Sequence, residues 1–232
     1  LMLEALRADE YADESCYVLF VAKSTALACF IASWLVRRAG KRPSKLLRRL
    51  HLLAPPIDEA PQARGLARYV ATFGSSRLQL SPVDEKPYAL VVIDEAHHVY
   101  SDPEMRAFVR GIVDPAAAPL LLLSDASQSL GANCEYPADL TEVALTEVVR
   151  SSQRIVAGAN AFRSDGARPE DRPRCHHNVP GPPLLPILFD STGSSMEESY
   201  AKFTAQALQR VSDNFRGLWL HNRVALIVPD KE

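Results

Sequence analysis

The stretch from Tyr88 to Asp102, Tyr-Ala-Leu-Val-Val-Ile-Asp-Glu-Ala-His-His-Val-Tyr-Ser-Asp, limits the possible folds more than any other part of the chain. From Ala89 to Ile93 it is uninterrupted by polar residues and rich in β-branched ones. Such a run reads as a strand buried on both faces, the condition of a central parallel strand covered by helices. It stops at Asp94 and Glu95, which therefore fall at the strand's C-terminal edge. Ligands bind at that edge in open α/β sheets, and adjacent acids there suit a hydrated Mg²⁺ and a polarised water. The alternative is a strand that simply runs into an acidic turn.

Two further blocks bear on that choice. Pro119-Leu-Leu-Leu-Leu123 reads as a second fully buried strand, again ending in a polar cluster, Ser124-Asp-Ala-Ser-Gln-Ser129. Neighbouring strands that end in Asp-Glu and in Asp-x-x-Gln bring a metal-binding acid, a base and a neutral amide to one sheet edge, which is equipment for cleaving a phosphoanhydride. Next, Leu145 to Phe162 reads as a strand leading to Arg150, with Ser151 or Ser152 capping a helix whose apolar stripe is Ile155, Ala159 and Phe162. Arg150 thus stands at a strand-to-helix junction, from which a guanidinium reaches a ligand across a cleft or pairs with a surface carboxylate.

Elsewhere the patterns are structural. Tyr17 to Ala22 is a buried-strand pattern, followed by Lys23-Ser-Thr25, whose hydroxyls suit a helix cap. In the helix that follows, Leu27, Phe30, Ile31, Trp34 and Leu35 share a face and read as core. Leu1 to Ala8 fits the tail of a helix, Leu50 to Leu53 a short strand, Ala63 to Phe73 a helix, Leu78 to Leu80 a short strand and Pro103 to Val113 a helix. The last of these helices turns Met105, Phe108 and Val109 inward. Past a proline-rich loop from Ser164 to Pro186 come a strand at Leu184 to Phe189, a capped amphipathic helix (Met196, Tyr200, Phe203, Ala207, Leu208, Val211) and a strand at Val224 to Val228. Cys175-His-His177 lacks the second ligand pair that a zinc site needs.

A net charge of -2 implies no wholesale attraction to nucleic acid, so such contact needs a local patch. Seven basic residues between Arg37 and Arg49, with no acid among them, form either a phosphate-tracking patch or a solvated helix end. The chain has no apolar run of about 18 residues and no signal-peptide pattern, which points to an intracellular protein, cytoplasmic or nuclear, with no membrane partner. The four cysteines are widely spaced and read as reduced, buried thiols.

Taken together, the blocks resemble superfamily 1 helicases of the UvrD/Rep type. Ile93-Asp-Glu-Ala-His97 looks like motif II and Asp125-Ala-Ser-Gln-Ser129 like motif III, while Leu145 to Phe162 looks like motif IV. Tyr17 to Leu35 is similar to the motif Ia strand and helix, and Val224 to Pro229 to a strand of the second RecA-like domain. The resemblance implies a P-loop NTPase of α/β class. Residues 1–145 would form a RecA-like parallel sheet with flanking helices, incomplete at its N-terminus. Residues 146–232 would hold the motif IV helix, the proline-rich loop and part of a second RecA-like domain. It further implies ATP and Mg²⁺ as cofactors and single-stranded DNA or RNA as partner. Asp94 would hold Mg²⁺ through water, and Glu95 would act as general base. Gln128 would sense the γ-phosphate, and Arg150 would act as an arginine finger. Ser24 and Thr25 would lie near the nucleic acid.

The departures are specific. No G-x-x-x-x-G-K-[ST] occurs in the chain, nor do motifs V and VI, so this stretch by itself is expected to be inactive. In the resemblance, the phosphate loop would lie just upstream of Leu1. His97 stands where the family usually has Gln, and Val149 replaces an aromatic common before the motif IV Arg. A helicase-like regulatory or nucleic-acid-binding module, in the manner of Schlafen-like proteins, is the competing expectation.

Overall fold

A computed structural model describes residues 2, 6, 17–39, 43–56, 66–73, 78–84, 87–112, 118–125, 128, 133–163, 172–189, 195–217, 219–220 and 223–227. They divide into two compact units, one of residues 1–146 with 160–173 and one of residues 147–159 with 174–232.

The first unit is built on a six-stranded sheet. Its strands are β1 (Tyr17–Val21), β2 (Leu50–Ala54), β3 (Ala67–Phe73), β4 (Leu78–Pro82), β5 (Tyr88–Ile93) and β6 (Leu120–Leu122), in the spatial order β4-β3-β2-β1-β5-β6. β2, β1, β5 and β6 run parallel, with Val21 opposite both Leu53 and Ile93, and Ile93 opposite Leu122. β3 and β4 add an antiparallel margin. The helices of this unit are α1 (Thr25–Ala39), α2 (Pro43–Arg48), α3 (Ala96–Ser101) and α4 (Pro103–Ile112).

Successive side chains of a strand point to opposite faces, and here both faces are covered. Val18, Phe20, Leu90 and Val92 pack with Ala28, Ala32 and Leu35 of α1 and with Leu46 and Leu47 of α2. Leu19, Val21, Val91 and Ile93 pack with Ala96, Val99 and Tyr100 of α3 and with Val109 of α4. The result is a mostly parallel α/β sheet between two helical layers, as the buried run Leu90 to Ile93 requires; Ala89, expected in the same buried run, is exposed. The sheet is compatible with a RecA-like fold. None of the described helices is long and apolar enough to cross a membrane.

Several expectations are corrected. Ala63 to Phe73 is not a helix: its described part is β3, in which Tyr69 and Ala71 are buried while Thr72 is exposed, an alternation that antiparallel pairing with β2 fixes. In α1 the buried line is Ala28, Ala32 and Leu35, because small residues let the helix sit close on the sheet. Leu27 and Ile31 reach that core only in part, and Phe30 (62% exposed) and Trp34 (38%) face outward, with the Arg38 guanidinium 4.4 Å from the Trp34 ring. Phe108 is likewise exposed, whereas Val109 is buried. β6 is only half-buried, as suits a strand at the margin of the sheet. Of the expected helix from Leu1 to Ala8, only Met2 and Leu6 are among the described residues, and both are helical.

The second unit contains β7 (Glu147–Val148), all but the last two residues of α5 (Gln153–Ala161), β8 (Arg174–Cys175) and α6 (Met196–Asn214). β7 and β8 form a parallel pair only two residues long. The strands expected at Leu184 to Phe189 and Val224 to Val228 are irregular where described, so the described residues contain no second RecA-like sheet. In α5 the buried residue is Val156, while Ile155 and Phe162 are exposed. α6 is capped by Ser195, whose hydroxyl accepts from the Glu198 amide at 3.1 Å. Its Phe203 stacks on Phe189 at 4.7 Å, but Met196 and Tyr200 are exposed.

The two faces of α1 make a direct test. Leu35→Ala should lower stability by about 2–5 kcal/mol. Phe30→Ala should cost less than about 1 kcal/mol. Urea unfolding followed by circular dichroism measures both, and equal losses would contradict the orientation of the helix.

Candidate functional site

The three parallel strands β1, β5 and β6 end at one edge of the sheet, and the polar segments that follow them meet there. β5 leads into Asp94 and Glu95, β1 into Lys23 and Ser24, and β6 into Ser124 and Asp125. Backbone hydrogen bonds fix the junction: the Asp94 amide donates to Val21 O at 3.2 Å, the Leu123 amide to Ile93 O at 2.9 Å, and the Ala96 amide to Leu123 O at 2.8 Å.

Glu95 is the one non-glycine among the described residues with positive φ (φ 51°, ψ 44°). A left-handed side-chain-bearing residue costs about 1–2 kcal/mol, and such strain gathers at functional sites. It arises because the chain must leave a buried strand and enter α3 at once; Glu95 is the residue before that helix, and its side chain caps nothing. Its amide instead donates to Asp94 Oδ1 at 3.0 Å. Both carboxylates are half-buried, and among the described residues neither pairs with a Lys or Arg.

Two residues to which the sequence reading gave no role in the site sit beside them. His97 is 2% exposed, with Nε2 3.4 Å from Glu95 Oε2 and Nδ1 3.5 Å from the Asp125 amide, which donates to it. At 3.4 Å the approach to Glu95 is longer than an N–H···O bond of about 2.7–3.2 Å, and Nε2 has no hydrogen-bond partner. His98 accepts a hydrogen bond from Lys23 Nζ at Nε2, 2.8 Å away. Burial first, then the Lys23 ammonium and His97, hold the His98 imidazole below its ordinary value, and hence neutral. The signal for both histidines was in the sequence, as a helix starting at Ala96 carries them into the edge that Asp94 and Glu95 occupy.

The remaining expected site residues divide. Gln128 lies in the turn after β6, where its amide donates to Asp125 Oδ2 at 2.8 Å and its backbone N–H to Asp125 O at 3.1 Å. Ser24 acts as a helix cap, its hydroxyl accepting from the Leu27 amide at 3.2 Å, and Thr25 Oγ1 donates to Pro55 O at 3.1 Å. Both hydroxyls therefore hold protein structure together. Arg150 is exposed, two residues beyond β7, and belongs to the second unit. The Ser152 hydroxyl proposed as a cap for α5 has no hydrogen-bond partner.

The carboxylate edge fits a hydrated Mg²⁺. Asp94 offers hard oxygen ligands with no neutralising side chain, and such an ion keeps several waters and takes one or two carboxylates. No G-x-x-x-x-G-K-[ST] sequence to cradle phosphates occurs in the chain. Comparison with protein-family models, with curated proteins and with solved structures finds no match.

Glu95→Gly should raise stability relative to Glu95→Ala by about 1–2 kcal/mol, since glycine adopts positive φ without penalty. Thermal unfolding of the two variants measures the difference, and equal melting temperatures would show that the backbone at this residue is unstrained.

Proposed function

We propose that this chain is part of the motor core of an ATP-dependent superfamily 1 helicase or translocase, coupling ATP hydrolysis to movement on single-stranded DNA or RNA. The observation that carries the reading is the parallel pairing of β5 with β6, which sets Asp94 and Glu95 beside the segment that holds Asp125 and Gln128. Superfamily 1 motifs II and III require that adjacency, which the resemblance in residues, order and spacing had only implied.

In this reading Asp94 would hold Mg²⁺ through water and supplies no proton chemistry. The ion, when bound, would neutralise charge that develops on the phosphates. Glu95, held by its backbone at the mouth of the edge, takes the proton of the attacking water. Gln128 releases Asp125 to report on the terminal phosphate, and Arg150 is the arginine finger on the strength of its motif IV match alone. The Asp125 amide and Glu95 approach the same His97 ring from either side, which gives the two loops a common support.

The test is ATP hydrolysis by the full-length protein, with and without single-stranded DNA or RNA. Glu95→Gln should lower turnover by about 10²–10⁴, and Arg150→Ala by about 10³–10⁵. Stimulation by nucleic acid that disappears in Glu95→Gln supports the motor. A folded protein without turnover supports the regulatory, Schlafen-like module instead, and turnover untouched by Glu95→Gln removes this edge from the chemistry.

A further inference from the structure

We infer that Glu95, His97 and His98 form a binding site for a divalent cation of the zinc class, and that the ion withdraws Glu95 from proton transfer. Each of the three brings one ligand atom within 4.8 Å of the others. The site is distinct from the Mg²⁺ position at Asp94 in its donors: two imidazoles and one carboxylate suit Zn²⁺ or Co²⁺, whereas Mg²⁺ prefers oxygen alone.

The stronger observation is His97. Its Nε2 is buried, without a hydrogen-bond partner, and directed at Glu95 Oε2. A buried polar nitrogen left this way destabilises the fold, because it has given up water and gained no partner. The 3.4 Å gap is too long for a hydrogen bond, but two donors that share one ion at zinc distances of about 2.0–2.2 Å in tetrahedral geometry stand roughly 3.3–3.6 Å apart. A cation between them thus satisfies the orphaned nitrogen with little movement of either side chain. His98, one residue further along α3 with its ring centroid 4.2 Å from that of His97, completes a two-His, one-carboxylate set. Three protein ligands leave the fourth position to water, the arrangement of an open rather than a structural site.

Two groups oppose the ion, and they make the inference specific. The Lys23 ammonium occupies His98 Nε2 and has to swing into solvent. Ligation through His97 Nε2 leaves the ring proton on Nδ1, where the Asp125 amide at 3.5 Å must turn aside. Occupancy therefore disturbs the β6 loop as well as Glu95. The inhibitory half of the inference rests on Glu95 acting as general base; the binding half does not.

Co²⁺ titration of the chain, followed by its visible absorption, reads the site without any turnover. One equivalent should give the intense bands of a low-coordinate site, which Zn²⁺ then displaces. His98→Ala and Glu95→Gln should weaken binding by at least about tenfold, and Lys23→Ala should tighten it. Because His97 is buried and its replacement would disturb packing, these exposed and half-buried positions carry the test, with circular dichroism to confirm the fold. Absence of the bands overturns the inference, as does binding that survives both substitutions but is lost in Cys175→Ser. In the full-length protein, Zn²⁺ should slow ATP hydrolysis, and Lys23→Ala should lower the concentration required. Bands without hydrolysis would leave the site standing and remove only the inhibitory role.

Discussion

Everything at the candidate site follows from β5 being buried on both faces and paired on both edges. Such a strand has room for no charge along Leu90 to Ile93, so charge first appears where the strand ends. Pairing with β1 and β6 then decides which other segments end beside it. The abruptness of the ending has a local cost, taken up at Glu95, whose left-handed backbone starts α3 immediately. Neighbouring strands thus assemble the acids, the lysine and the histidines without any long-range design beyond the sheet order.

Side-chain size explains which parts of this were legible in the sequence. The β5 run, its acidic end and the second strand at Leu120 were readable because apolar residues on both faces of a strand leave an unbroken pattern. Helix α1 misled for the opposite reason. Phe30 and Trp34 are large and look like core, yet Ala28 and Ala32 make the closest contact with the sheet, and alanine is a weak signal in any hydrophobic pattern. β3 misled because its alternation involves Tyr69 and Ala71 against Val70 and Thr72, residues of too little contrast to separate a strand from a helix.

The site shows a similar division. Asp94 and Glu95 announced themselves by position, and Asp125 and Gln128 by spacing. His97 did not, since its meaning depends on a three-dimensional fact: α3 turns its ring beneath Glu95 and against the β6 loop. Ser24 and Thr25 could be read as ligand-binding or as caps, and the structure commits their hydroxyls to Leu27 and Pro55. Arg150 stays a matter of motif, because the described residues of its unit hold only the two-residue β7–β8 pair and no RecA-like sheet.

The β1–β5 pairing also has a consequence in time. Tyr17 meets Tyr88, a partner about 70 residues later in the chain. At synthesis rates of about 5–20 residues per second, roughly 4–14 s separate their emergence from the ribosome. Through that interval Val18 to Val21, all fully buried in the finished protein, have at most β2 beside them. The nascent chain therefore carries a sticky, half-paired strand for seconds, and shielding by a chaperone matters most before β5 arrives.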